Sequence, residues 1–244
     1  MSPLQKVLRI IVLLIVNCPL SIVNWRRLLH VHLYYDKICP NMGNMTIKTK
    51  GVLLKVKPII LEGSARHAHV TAEALAVLFG EGAMLHNKRE LSQPGQYLTE
   101  EKVRIEGPRG AIDRVSILGP ERPVTQVEIS LTDARTLGVE PPIRESGDVL
   151  GSAPIRIVGP AGSLDLAEGC IVAKRHLHIP PDDAEVYGVT DKQVIGIKTC
   201  GARGLIFNEV VVRVNPNFAT RVHLDYDEMN AAGLGADAVG EIIK

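Results

Sequence analysis

The chain has 244 residues, with 28 basic side chains against 27 acidic ones and a formal net charge of +1; that length suits one domain of ordinary size or two of about 100 residues. The charge balance excludes broad electrostatic capture of nucleic acid or of an anionic membrane, so an anionic ligand must be held by local positive groups. Aromatic residues make up only 4%, while 22 Gly and 15 Pro are present, a composition of short strands joined by tight turns.

Residues 4–23, LQKVLRIIVLLIVNCPLSIV, are apolar but carry Lys6 and Arg9 and break at Pro19. The uncharged stretch from Ile10 is too short to span a bilayer, so no stable membrane insertion is expected. The run Asn17-Cys18-Pro19-Leu20 also lacks the small-residue site of a secretory signal. Residues 1–50 are read as an N-terminal extension, either a leader that docks to a partner shell or a start misassigned upstream of Met42 or Met45. His30-Val31-His32 has no acidic, Gly-terminated continuation and is read as a decoy. Cys18, Cys39, Cys170 and Cys200 contain no CxxC pair; their spacing matches neither a disulfide framework nor a zinc ribbon, which fits a reducing compartment.

From Gly51 the chain reads as two related halves, expected as 51–146 and 147–244. Arg66-His67-Ala68-His69 answers to Arg175-His176-Leu177-His178, and GPRGAI from Gly107 answers to GARGLI from Gly201. Glu128 then falls opposite His223. The first half alone carries roughly fifteen extra residues around LHNKRELSQPGQYL, an inserted loop or hairpin of the kind that often marks a functional surface. Between these landmarks KVRIEG, RVSILG, TQVEISL, IRIVG, QVIGIKT, LIFNEVVVRV and TRVHLD alternate as half-buried strands do. TAEALAVLFG, LTDARTLGV, PPDDAEVYGV and DEMNAAGL predict helices of one or two turns with early acids and a terminal Gly. Asp133, Asp182 and Asp183 belong to those helix starts. The expected fold is mainly β with short helices: two tandem related β-barrels capped by short α-helices, because a doubly wound sheet needs longer crossover helices.

Four stretches share one plan, led by His69, Glu128, His178 and His223, and each reaches a Gly some ten residues on. Strand alternation puts both histidines of an HxH pair on one face, and the strand-end residue about fifty positions later supplies a third ligand. The candidate sets are His67/His69/Glu128 and His176/His178/His223. Three N and O ligands leave an open coordination position, as catalytic zinc sites do, so two divalent metal ions are expected, with Zn2+ the first choice. Arg66 and Arg175 either offer charge to an anionic substrate or bridge to a nearby carboxylate.

On RHAHVT, GPRGAIDRVSILGPERPVTQVEIS, RHLHIPPDDAEVYGV, GARGLIFNEVVVRV and HLDYDEMNAAG, the chain resembles the PduL-type phosphate acyltransferases, phosphotransacylases of propanediol-utilising bacterial microcompartments and their cytosolic relatives. The resemblance covers roughly residues 58 to 244. It implies two β-barrel domains, two metal ions beside coenzyme A, and interconversion of short-chain acyl-CoA (propanoyl-CoA or acetyl-CoA) plus phosphate with acyl phosphate plus CoA. The same six residues become the metal ligands. The resemblance further implies that Arg122 binds phosphate and that Gly63, Ser64, Ala65, Arg109 and Asn230 bind coenzyme A. Ser116 departs from it, because related chains carry a basic residue there; Arg114 or the inserted loop is the expected substitute. Ala65 stands where Asn is usual, leaving only a backbone contact. Localisation in the cytoplasm or in a microcompartment, shell association and a homo-oligomer are further implications.

The expected chemistry is metal-assisted direct attack of phosphate on the thioester, with no acyl-enzyme, since none of the cysteines sits in a nucleophile setting. Two other readings stay open: a dinuclear zinc hydrolase, and a non-enzymatic module in which zinc staples small barrels.

Overall fold

A computed structural model of the chain describes residues 46–49, 52–55 and 58–244. The leader reading and the His30-Val31-His32 decoy lie outside the described residues. In chain order the elements are β1 (Thr46–Thr49), β2 (Val52–Lys55), β3 (Ile59–Ser64), β4 (His67–His69), α1 (Ala72–Phe79), β5 (Asn87–Glu90), β6 (Tyr97–Glu106) and β7 (Ala111–Gly119). They continue with β8 (Gln126–Glu128), α2 (Leu131–Leu137), β9 (Ile143–Arg144), β10 (Ala153–Val158), β11 (Ser163–Ala173), β12 (His176–Ile179), α3 (Pro181–Tyr187), β13 (Val194–Lys198), β14 (Ile206–Val214), β15 (Arg221–Asp225), α4 (Tyr226–Ala232) and β16 (Val239–Ile243). No described helix is long and apolar enough to cross a membrane.

The four expected helices form, and their starts are set by side chains. Thr71 caps α1 by accepting from the Ala74 amide. Ser130 with Asp133, and Asp225 with Glu228, form capping boxes on α2 and α4, satisfying amides that would otherwise lack acceptors. Pro181 supplies the pre-set first position of α3. In each case the cap lies two residues beyond a candidate ligand: 69 and 71, 128 and 130, 178 and 180, 223 and 225. Gly138, Gly188 and Gly233 end α2, α3 and α4 in the left-handed region, which glycine enters without steric cost.

The strands close two six-stranded barrels. One runs β4-β7-β6-β10-β11-β8, closed by the β8–β4 pair, with β5 and β9 attached outside the ring. The other runs β12-β14-β13-β16-β3-β15. The pairings match around both rings: parallel, three antiparallel, parallel, antiparallel. Each barrel has its own core, one around Leu78, Ile105, Ile117 and Ile157, the other around Leu61, Leu177, Ile197 and Val222.

The expected division into 51–146 and 147–244 cuts across these barrels. β10 and β11 close the first barrel although they follow residue 146, and β3 closes the second although it precedes the first. The repeating unit is β3 to β10 and then β11 to β16, and each unit gives its first strand to the other's barrel. The repeat is therefore real, but its boundary is the Gly159–Gly162 turn. Cys200 is disulfide-bonded, which departs from the expectation drawn from cysteine spacing.

Hairpin tips close the helix ends. Gly159 donates to Gly162 O across its turn, and Ala161 N donates to Leu78 O at the end of α1. Gly107 and Gly110 form the matching turn, with Arg109 N donating to Leu137 O of α2. A Cβ on Gly159 would lie 2.2 Å from Leu78 O, a backbone atom with no freedom to retreat. Gly159→Ala is expected to cost about 1–3 kcal/mol, lowering the thermal midpoint by several degrees, whereas Gly235→Ala, whose Cβ meets nothing within 4 Å, should leave it unchanged.

Candidate active site

Strand register assembles the two sets of ligands. β4 pairs antiparallel with β8 so that His67 faces Glu128, and β12 pairs with β15 so that His176 faces His223. Within each set the potential ligand atoms lie within 4.8 Å of one another. In the first, the Nε2 atoms of His67 and His69 stand 3.5 and 3.9 Å from the Glu128 carboxylate. In the second, the ring centroids are 4.6 to 5.0 Å apart.

Backbone carbonyls aim the rings. Nδ1 of His67, His69 and His176 meets Ala65 O at 2.8 Å, Leu118 O at 3.2 Å and Lys174 O at 2.8 Å. A carbonyl only accepts, so Nδ1 carries the proton and Nε2 turns its lone pair inward, as in metal-binding histidines. Burial, reinforced by neighbouring histidines and arginines, holds His69 at about 3, His178 at about 2 and His223 at about 3. Burial also lowers His176. These rings are neutral and nucleophilic at neutral pH. Burial opposes ionisation of Glu128, yet the polar groups around it, His67 first, outweigh burial and lower its pKa. His178 Nδ1 is buried without a hydrogen-bond partner, a cost that a bound cation near this cluster helps to explain. An anionic carboxylate, neutral imidazoles and an orphaned ring nitrogen fit divalent zinc.

Both sets line one cavity of about 490 Å³. Arg122 enters it from the loop after β7; its amide donates to Val70 O and its guanidinium to Ser146 Oγ at 3.3 Å. Burial lowers its pKa, with Glu128 attracting and Arg213 repelling the charge. Arg213 lines the same cavity, opposite His178 across the β12–β14 pair. Among the described residues neither arginine makes an ion pair, so both guanidiniums are available to an anion. Gln126 orients Glu128: its Nε2 donates to the carboxylate and to Ser146 Oγ, both at 2.7 Å, while its Oε1 accepts from Gly147 N.

Gly63, Ser64 and Ala65 also line the cavity. A Cβ on Gly63 would lie 2.8 Å from the Tyr226 ring, so this close approach of backbone to ring requires glycine. Arg109 and Asn230 are exposed and outside the cavity lining. Ser116 lines it and accepts from Lys102 Nζ at 2.6 Å; Lys102 stands directly opposite on β6, its pKa lowered by burial and by Lys88 and Arg114. The two readings of Arg66 and Arg175 resolve toward carboxylates. Arg66 binds Asp133 through two contacts at 2.9 and 2.8 Å, and Arg175 binds Glu228 while donating to Asn208 O at 2.6 Å. Both acids sit third in the helix after a third ligand, so each arginine ties an HxH pair to its partner strand.

Sequence reasoning missed Gln93, Gln126, Ser146 and Arg213. Arg213 left a trace as a charge within the apolar run VVVRV. The other three lie in ordinary polar surroundings, and only tertiary contacts reveal them.

A family model described as phosphate propanoyltransferase matches residues 60–235. The phosphate propanoyltransferase of Clostridioides difficile is 48% identical over 196 residues, covering 79% of this chain and 94% of that one. That of Thermotoga maritima is 50% identical over 194 residues, covering 79% and 92%. That of Listeria monocytogenes is 49% identical over 184 residues, covering 75% and 86%.

Replacing Asp133 by Ala removes the α2 capping box and the Arg66 clamp together. A loss of about 1–3 kcal/mol is expected, read as a lower urea midpoint with an unchanged slope.

Proposed function

The chain belongs to the phosphate propanoyltransferase family, and from that membership we propose that it interconverts short-chain acyl-CoA plus phosphate with acyl phosphate plus CoA, on propanoyl-CoA or acetyl-CoA. One observation carries the proposal beyond the family name: two ligand sets and two guanidiniums without an ion pair among the described residues, Arg122 and Arg213, share a single cavity. A hydrolase would need the metals and a water, and a zinc staple would need neither arginine.

His67, His69 and Glu128 would hold one zinc ion, and His176, His178 and His223 the other. Bound there, zinc supplies Lewis acidity toward the carbonyl oxygen and the departing sulfur. Arg122 holds inorganic phosphate by a guanidinium fork matched to a tetrahedral oxyanion. With phosphate fixed beside the thioester, a phosphate oxygen forms the new bond to the acyl carbon, the C–S bond breaks, and its electron pair leaves with sulfur as the CoA thiolate. Positioning removes much of the entropic barrier. No protein nucleophile is needed, and burial pushes the Cys170 thiol up to about 12, so it carries negligible thiolate at neutral pH.

Gly63, Ser64 and Ala65 are assigned to coenzyme A along the cavity wall, with Arg109 and Asn230 on its outer reach. Lys102, hydrogen-bonded to Ser116, supplies the cation that residue 116 lacks. That assignment replaces Arg114 as the substitute.

Thiol release from propanoyl-CoA by zinc-loaded protein should require phosphate and stop on chelation; release without phosphate would establish the hydrolase instead. Metal analysis should give two equivalents, falling to one in His178→Ala. Arg122→Ala should lower kcat/KM about 100-fold, whereas Cys170→Ala should retain turnover and label no acyl-enzyme.

A further inference from the structure

The extra residues of the first half do not stay with the first barrel. The loop that follows β5, Leu91 to Gln96, reaches residues of the second. Leu91 N donates to Gln96 O and Gln96 N to Gln93 O, making a compact tip. Gln93 is 3% exposed, and its amide is gripped by one residue of the second barrel's β14–β15 connection. Its Nε2 donates to Ala219 O at 3.0 Å and its Oε1 accepts from Ala219 N at 3.1 Å. Beside it, Ser92 Oγ bonds Glu62, whose carboxylate stands 3.8 Å from His223 Nδ1.

The double contact with Ala219 decides which way the amide points. Turning it over would set NH2 against N–H and oxygen against carbonyl, losing both bonds. The nitrogen therefore faces the histidines, 3.4 Å from His223 Nε2, and the oxygen faces away. This geometry excludes Gln93 as an oxygen ligand of a metal. One amide hydrogen is committed to Ala219 O; the other is directed at the cavity, which Gln93 lines together with Arg122 and Arg213. When the His223 lone pair serves a cation, that second hydrogen needs a different acceptor, and a buried donor left without one is costly.

We propose that Gln93 is a substrate-binding residue that donates the amide hydrogen not committed to Ala219 O to an oxygen of inorganic phosphate, or of the phosphoryl group of acyl phosphate, beside His223. This rests on the acyltransferase reading and adds a neutral donor to the arginines. The insertion found in one half thus completes the ligand-binding wall of the other.

The test uses full-length, zinc-loaded protein with Gln93→Met, which fills similar space without donors, and Gln93→Glu, which keeps an acceptor for Ala219 N–H but has no N–H. Metal content, thermal midpoint, calorimetric binding of inorganic phosphate, and KM for phosphate and for propanoyl-CoA are measured on each. The expected result is two equivalents of metal in both variants, phosphate affinity and KM weakened about tenfold in Gln93→Met and further in Gln93→Glu, and KM for propanoyl-CoA changed by less than about twofold. Equal losses for both substrates with a lowered midpoint would reduce Gln93 to a staple between barrels and overturn the proposal. So would an unchanged phosphate affinity in either folded variant. Absence of phosphate-dependent thiol release in the wild type would instead refute the acyltransferase reading, whereas wild-type turnover with variants indistinguishable from it would refute the Gln93 assignment alone.

Discussion

Two dipeptides, Ala65-Arg66 and Lys174-Arg175, determine where everything else can lie. Each carries the chain from a strand of one barrel directly into the HxH strand of the other. With only two residues to span the gap, β3 must end where β4 begins, so the histidines are confined to the seam. The same residues also orient the rings. The carbonyls of Ala65 and Lys174 accept from His67 and His176, and the Arg66 and Arg175 side chains grip the helices that follow Glu128 and His223. Chain path, ring orientation and spacing of the third ligand therefore depend on one local constraint, applied twice.

The duplication stops short of equivalence at the chemistry. Glu128 brings a buried charge that Gln126 and the two facing histidines support, whereas His223 occupies the matching register position as a neutral ring with Glu62 and Gln93 around it. A carboxylate ligand leaves its cation less positive than three imidazoles do. Cations held by the two sets would thus differ in Lewis acidity within one cavity.

Much of this was legible where spacing along the chain carries the physics. Alternation put His67 beside His69 and His176 beside His178; cap residues and terminal glycines marked four helices; the repeat paired Glu128 with His223. The ownership of β3 and β11 was not legible, because an alternating strand satisfies either barrel equally well and only the short crossover forces the exchange. That is why the boundary drawn at residue 146 fell in the wrong place. Gln93 and Gln126 are ordinary polar residues until Ala219 and Glu128 are brought to them from distant parts of the chain. Arg66 and Arg175 were ambiguous for a related reason: their acceptors, Asp133 and Glu228, lie more than fifty residues away.

The strand exchange also bears on ancestry. A single repeating unit would make a barrel with a gap where its sixth strand belongs, and would carry a spare first strand suited to that gap in a neighbour. Two copies of one ancestral gene product could therefore fill each other's gaps, with their histidines meeting at a twofold seam before any covalent link joined them. On that view the Gly159–Gly162 turn is where two such units join, and only joined units are free to differ at one register position, as Glu128 and His223 do.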